Sequence, residues 1–236
     1  MTPLARSVYP GPMIHEPPEP EYREVCYACR RPKALCLCPS EPPLRTRTRV
    51  VLLMHPMEYK REKCATGRLT CLNLANSEMI PGLRFDENPR YRALVDDPAN
   101  YPVLLYPGKD AFDLSSGGFP SGELGGRRLV VFLVDSTWAC AKSILRESPG
   151  LLSLPCVKFT PTIPSRYVIK RQPAPNCLST IEATHELLLA LERSGLDEYT
   201  DKERLLAAFF AMRDYQIDRI GADRNPRQKK KWDLPG

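Results

Sequence analysis

No apolar stretch in the 236 residues approaches the roughly 18 needed for a helix to cross a bilayer, so no transmembrane role is expected. The start, Met1-Thr2-Pro3, lacks the basic residues and continuous apolar core of a secretory signal, which predicts a cytoplasmic protein. Nine cysteines cannot all pair, and disulfides are uncommon in that compartment, so thiols or metal ligands are expected. No internal repeat is visible, and glycine is dense only between Ser115 and Gly126, a composition that reads as a surface connection. No Ser-His-Asp set or paired carboxylates can be defended by spacing.

What is present fits one α/β domain with a small accessory element. The net charge of +6 is modest but uneven. From Arg45 to Arg68 there are seven Lys/Arg against two Glu, and from Arg219 to Lys231 six Lys/Arg against Asp223 alone. Either segment could be a solvated face; phosphate contact is the sharper reading, and Trp232 beside Lys229, Lys230 and Lys231 adds an aromatic that could stack on a base. The chain divides into a Pro-rich arm at 1–23, a four-cysteine element at 24–43, a main domain at 44–221 and a basic tail at 222–236.

Four apolar runs predict buried strands: Val50 to Met54, Val103 to Tyr106, Leu129 to Val134 and a weaker Arg166 to Lys170. Their apolarity is continuous rather than alternating, which predicts a mostly parallel sheet covered on both faces. Helices are expected from just after Thr137 to Glu147, from a capping box at Ser179-Thr180-Ile181-Glu182 to Gly195, and from Asp201 to Ile220. The last should carry Leu205, Leu206, Phe209, Phe210, Ile217 and Ile220 on a core stripe.

Two features carry chemistry. Cys26, Cys29, Cys36 and Cys38 could supply the four thiolates of a closed tetrahedral zinc site, which would be structural because no position exchanges. Such a metal would fold a segment too proline-rich to hold itself. Asp135 sits where the third apolar run meets a helix, the strand edge at which ligands collect in α/β sheets. An ordinary helix cap would look the same.

Asp135-Ser136-Thr137-Trp138 matches the D-x-T-W signature of the DTW-domain family, and further blocks recur in order. They are His55-Pro56-x-Glu58, Thr66-Gly67-Arg68-Leu69, Leu105-Tyr106-Pro107 and Leu178-Ser179-Thr180-Ile181-Glu182-Ala183, preceded by a cysteine cluster similar to that of bacterial members. The resemblance covers roughly residues 24 to 215. It implies a tRNA-uridine aminocarboxypropyltransferase, which moves the 3-amino-3-carboxypropyl group of S-adenosylmethionine to N3 of uridine, on a SPOUT-like, knotted fold. By the same resemblance, Asp135, Thr137 and Trp138 are catalytic candidates. Leu105, Tyr106, Pro107, Gly108, Phe132, Leu133, Val134, Ser179, Thr180 and Glu182 are candidates for holding the cofactor. His55, Arg68, Arg166, Lys170 and Arg171 are candidates for tRNA contact.

An unperturbed aspartate is a weak base for an imide proton, so a base role for Asp135 requires desolvation by Phe132, Leu133 and Val134. Two other readings stay open: a SPOUT-like RNA methyltransferase using the same cofactor, and a non-catalytic, zinc-stabilised RNA-binding protein. The oligomeric state is open as well.

Overall fold

The computed structural model describes residues 24–61, 66–169 and 177–222. Its strands are β1 (Arg49–Met54), β2 (Ser77–Pro81), β3 (Asn100–Leu105), β4 (Phe112–Asp113), β5 (Arg128–Asp135) and β6 (Cys156–Lys158). Its helices are α1 (Pro56–Arg61), α2 (Thr66–Asn73), α3 (Pro89–Val95), α4 (Trp138–Glu147), α5 (Thr180–Arg193) and α6 (Lys202–Ala222). The strands form one parallel sheet in the order β2-β1-β5-β3-β6-β4. Among the described residues, no helix is long and apolar enough to cross a membrane.

Two covered faces explain the continuous apolar runs. Val50, Leu52, Val131 and Leu133 turn toward Leu69, Ile181, Leu187 and Phe209 of α2, α5 and α6. Their alternates Val51, Leu53, Val130 and Phe132 turn the other way, toward Tyr91 and Leu94 of α3 and Ile144 of α4. Strand periodicity thus divides the core into two halves with the sheet between them.

The expected strand at Arg166 to Lys170 does not form over its described part, where residues 166–169 are irregular and then turn. Side chains take the donors that a ladder would use: the Arg166 N–H donates to Glu182 Oε1 at 2.6 Å and the Tyr167 N–H to Ser165 Oγ at 3.2 Å. Lys170 lies outside the described residues. Ile217 also departs from expectation, being 41% exposed. The buried stripe of α6 runs from Leu205 through Phe209 to Met212, where the helix packs on α2 and α5. A 21-residue helix is about 30 Å long and outruns those shorter neighbours. The side chain of Ile220 is outside the described residues.

The cysteine element joins this body through Leu44, whose N–H donates to the Asn73 carbonyl at 2.8 Å while its own carbonyl accepts from Ala75 at 2.8 Å. Leu44 is buried, so the proline spacer ends on an anchored residue at the C-terminal end of α2.

Candidate active site

Strand alternation fixes where Asp135 points. It continues the Val131 and Leu133 face, so its carboxylate emerges beneath α2 and α5 rather than on the α4 side. There it is 8% exposed, and the Thr180 hydroxyl donates to its Oδ1 at 2.6 Å. Gly67, the second residue of α2, backs onto the same group: a Cβ at that position would lie 1.8 Å from Asp135 Oδ2. Three separate chain segments therefore meet at one carboxylate.

The β1–β5 register pairs Met54 with Asp135, which brings His55 to Glu58 to the same sheet edge. Glu58 accepts the N–H of Thr137, the N-cap residue of α4, whose own side chain makes no capping bond. An acid from α1 thus satisfies a donor at the start of α4. His55 Nδ1 accepts the Met57 N–H at 3.3 Å and so orders the turn into α1. The side chain of Trp138 is outside the described residues.

Beyond β3, Tyr106 donates its N–H to the Val157 carbonyl at 3.0 Å, and Gly108 turns back to the Tyr106 carbonyl at 2.8 Å. Leu105 to Gly108 therefore form a short loop at the edge where Asp135 lies. Phe132 and Leu133 are buried core side chains and Val134 is half-buried, so the first two could offer a ligand only backbone at this edge.

Ser179 and Glu182 form the expected capping box. The Glu182 carboxylate does more than cap, for it accepts from the Ser179 N–H at 2.9 Å, the Ser179 hydroxyl at 2.6 Å, the Ser165 hydroxyl at 2.9 Å and the Arg166 N–H at 2.6 Å. The Ser179 N–H is therefore already engaged within the protein. Glu182 staples the loop after β6 to the start of α5. Replacing this buried carboxylate by an amide turns acceptors into donors opposite donors. Glu182→Gln is expected to cost about 3 kcal/mol, read as a fall in Tm of roughly 6–12 °C.

Thr180 and Glu182 lie two residues apart and address different faces of α5. On the Glu182 side is a small, partly open pocket lined by Ile163, Arg166, Leu178, Glu182, His185 and Phe210, among others. His185 is buried, which lowers its pKa and favours the neutral ring. Its Nδ1 lies 2.9 Å from the Tyr199 hydroxyl, which donates to the Lys202 carbonyl at 3.2 Å, so the Nδ1–H tautomer completes the chain of bonds. Arg166 stacks on the Phe210 ring at 5.3 Å, in the wall of this pocket. Arg68 stacks on Tyr59 of α1, and burial, followed by the nearby charge of Arg30, lowers its pKa. Arg171, like Lys170, is outside the described residues.

The four Sγ atoms of Cys26, Cys29, Cys36 and Cys38 lie within 4.8 Å of one another. Cys26 and Cys38 are 3.6 Å apart, and Cys29 and Cys36 are 3.7 Å apart. Zinc–sulfur bonds of about 2.3 Å in a tetrahedron set sulfurs about 3.8 Å apart, so this donor set fits a zinc ion. Backbone donation from Cys29, then the Cys38 thiol, lowers Cys26 to about 6, favouring the thiolate that a metal takes. The turn that begins the element is closed by the Arg30 N–H on the Cys26 carbonyl at 2.7 Å.

Several of these partners carry no sequence signal of their role. Glu58, Gly67 and Thr180 were visible as parts of ordered blocks, but nothing in their spacing pairs Glu58 with Thr137 or Gly67 and Thr180 with Asp135.

The DTW domain matches residues 23–217 of the chain. A Drosophila melanogaster protein named tRNA-uridine aminocarboxypropyltransferase 2 is 31% identical over 207 residues, covering 84% of this chain and 77% of its own. A Mus musculus protein of the same name is 32% identical over 206 residues, covering 84% of this chain and 65% of its own. An Arabidopsis thaliana protein named tRNA-uridine aminocarboxypropyltransferase A is 29% identical, with 73% of this chain and 74% of its own covered. No solved structure matches.

Proposed function

Because the chain belongs to the DTW-domain family, we propose that it transfers the 3-amino-3-carboxypropyl group of S-adenosylmethionine to N3 of a uridine in tRNA, releasing methylthioadenosine. The observation that carries this reading is the buried Asp135 carboxylate at the carboxyl edge of a parallel sheet, set between Gly67 and the Thr180 hydroxyl. In the reaction the uracil N3–H loses its proton, N3 bonds to Cγ of the methionyl chain, and the Cγ–S bond breaks with its electrons going to sulfur. Asp135 accepts the N3 proton, and the Thr180 hydroxyl holds the carboxylate in orientation. Attack on a sulfonium cancels charge, so the apolar surroundings of β1 and β5 favour the step. Thr137, at the start of α4, and the Leu105 to Gly108 loop border the same edge and supply backbone for the donor's adenosine and amino acid parts.

This reading includes the SPOUT-like, knotted arrangement that the family resemblance implies, for which the parallel sheet covered by helices supplies the α/β body. The cysteine element at 24–43 holds a structural zinc ahead of a catalytic domain at 44–221, and the protein acts in the cytoplasm. The test is a transfer assay with purified protein, unmodified tRNA transcript and S-adenosylmethionine, with digested nucleosides read by mass spectrometry. Aminocarboxypropyluridine and methylthioadenosine in equal amounts are expected. A methylated nucleoside, or tRNA binding without any product, would overturn the proposal.

A further inference from the structure

Arg30 adopts a left-handed backbone, φ +58°, a conformation that glycine or asparagine takes at lower cost. Its side chain reaches out of the cysteine element onto the catalytic body. The guanidinium lies 4.7 Å from the Tyr59 ring centroid and donates to the Tyr59 carbonyl and hydroxyl oxygens, each at 3.2 Å. Arg68, from α2, stacks on the same ring at 5.3 Å. Two like charges share one aromatic ring, and among the described residues neither has a carboxylate within ion-pair distance. Elsewhere Arg47 pairs with Glu198, Arg49 and Arg90 with Glu78, and Arg204 with Glu41. On the same turn as Arg30, Tyr27 is 96% exposed.

We propose that Arg30 and Arg68, spaced by Tyr59, form a clamp for a backbone phosphate of the RNA substrate, with Tyr27 as a neighbouring platform for an unpaired base. This rests on the tRNA reading above. A phosphate supplies the counter-charge that no described residue gives the two guanidiniums, and its oxygens suit their planar donors. The stacking ring tolerates any base, so the surface positions RNA without reading sequence. One half of the clamp comes from the cysteine element and the other from α2, two residues after the start of that helix at Thr66 and directly beside Gly67. Docking of the element therefore completes a substrate surface next to the catalytic edge, which gives it a role in tRNA affinity rather than in the chemical step.

The experiment measures tRNA affinity of the full chain across a salt series for the wild type and for Arg30→Gln, Arg68→Gln, their double variant and Tyr27→Ala. Each charge variant should weaken binding several-fold and reduce the slope of log K against log salt by about one, and the double variant by about two. Tyr27→Ala should weaken binding roughly tenfold with the slope unchanged. Zinc content per chain and S-adenosylmethionine affinity should stay at wild-type values. Arg30→Lys and Arg68→Lys keep the charge and should keep the slope. A full slope in the double variant, or a slope lost equally in the lysine variants, overturns the clamp while leaving tRNA modification standing. A wild type with no salt-dependent affinity for tRNA overturns both.

Discussion

Asp135→Asn is expected to slow transfer at saturating tRNA and S-adenosylmethionine by about 10²–10⁴-fold, the range contributed by a positioned general base. The substitution is nearly isosteric, and the amide oxygen can still accept the Thr180 hydroxyl bond that the carboxylate accepts at 2.6 Å. The fold and both binding steps should therefore persist, and the loss should fall on the chemical step. What the amide cannot do is take the imide proton. N3 then attacks as a neutral, poorly nucleophilic nitrogen, or the proton must leave through solvent that the buried edge excludes. Single-turnover measurement of nucleoside product, with tRNA and donor affinities determined in parallel, separates these effects. Unchanged turnover with normal binding would remove Asp135 from the base role, and a loss confined to donor affinity would make it a positioning group.

The position of Asp135 was legible because Leu129 to Val134 form an uninterrupted apolar run, and such a run ends at the sheet edge where a parallel strand hands over to a helix. The capping box was legible for a different reason: its two members are three residues apart, so local spacing carries the geometry. Glu182's further bonds to Ser165 and Arg166 join residues 17 and 16 apart in sequence, and no periodicity encodes them. The same loop defeated the strand expected at Arg166, since propensity saw apolar residues but not the Glu182 carboxylate and Ser165 hydroxyl that take the Arg166 and Tyr167 N–H groups. β2 was missed because only Ile80 of its five residues is buried, and β4 and β6 because two or three residues make no pattern. The cysteine spacing gave the donor set, while the docking of Arg30 on Tyr59 depends on how two segments pack and left no mark in either one.

Gly67→Ala should invert the usual effect of that substitution. In a helix, glycine to alanine normally stabilises by about 0.5–1 kcal/mol, because alanine loses less conformational freedom. Gly67 lies in α2 and has no left-handed backbone to protect. Yet its added Cβ would meet Asp135 Oδ2 at 1.8 Å, Asp135 Cγ at 2.8 Å and Leu52 Cδ1 at 3.1 Å. The first distance is far inside contact, so either Asp135 swings away and gives up the Thr180 bond, or α2 lifts from β1 and loosens the packing around Leu52 and Leu69. Overpacking of this kind costs about 2 kcal/mol, a fall in Tm of roughly 4–8 °C for a chain of this size. Activity should fall further than stability, by about 10²-fold or more, because a displacement near 1 Å at a reacting group has that effect. A double-mutant cycle with Asp135→Ala locates the cause. Once the carboxylate is gone, the Cβ at position 67 has room, and adding it should leave Tm unchanged or raise it. If Gly67→Ala alone raises Tm and retains full transfer, α2 does not press on Asp135, and the close approach that defines this edge of the site is not what shapes it.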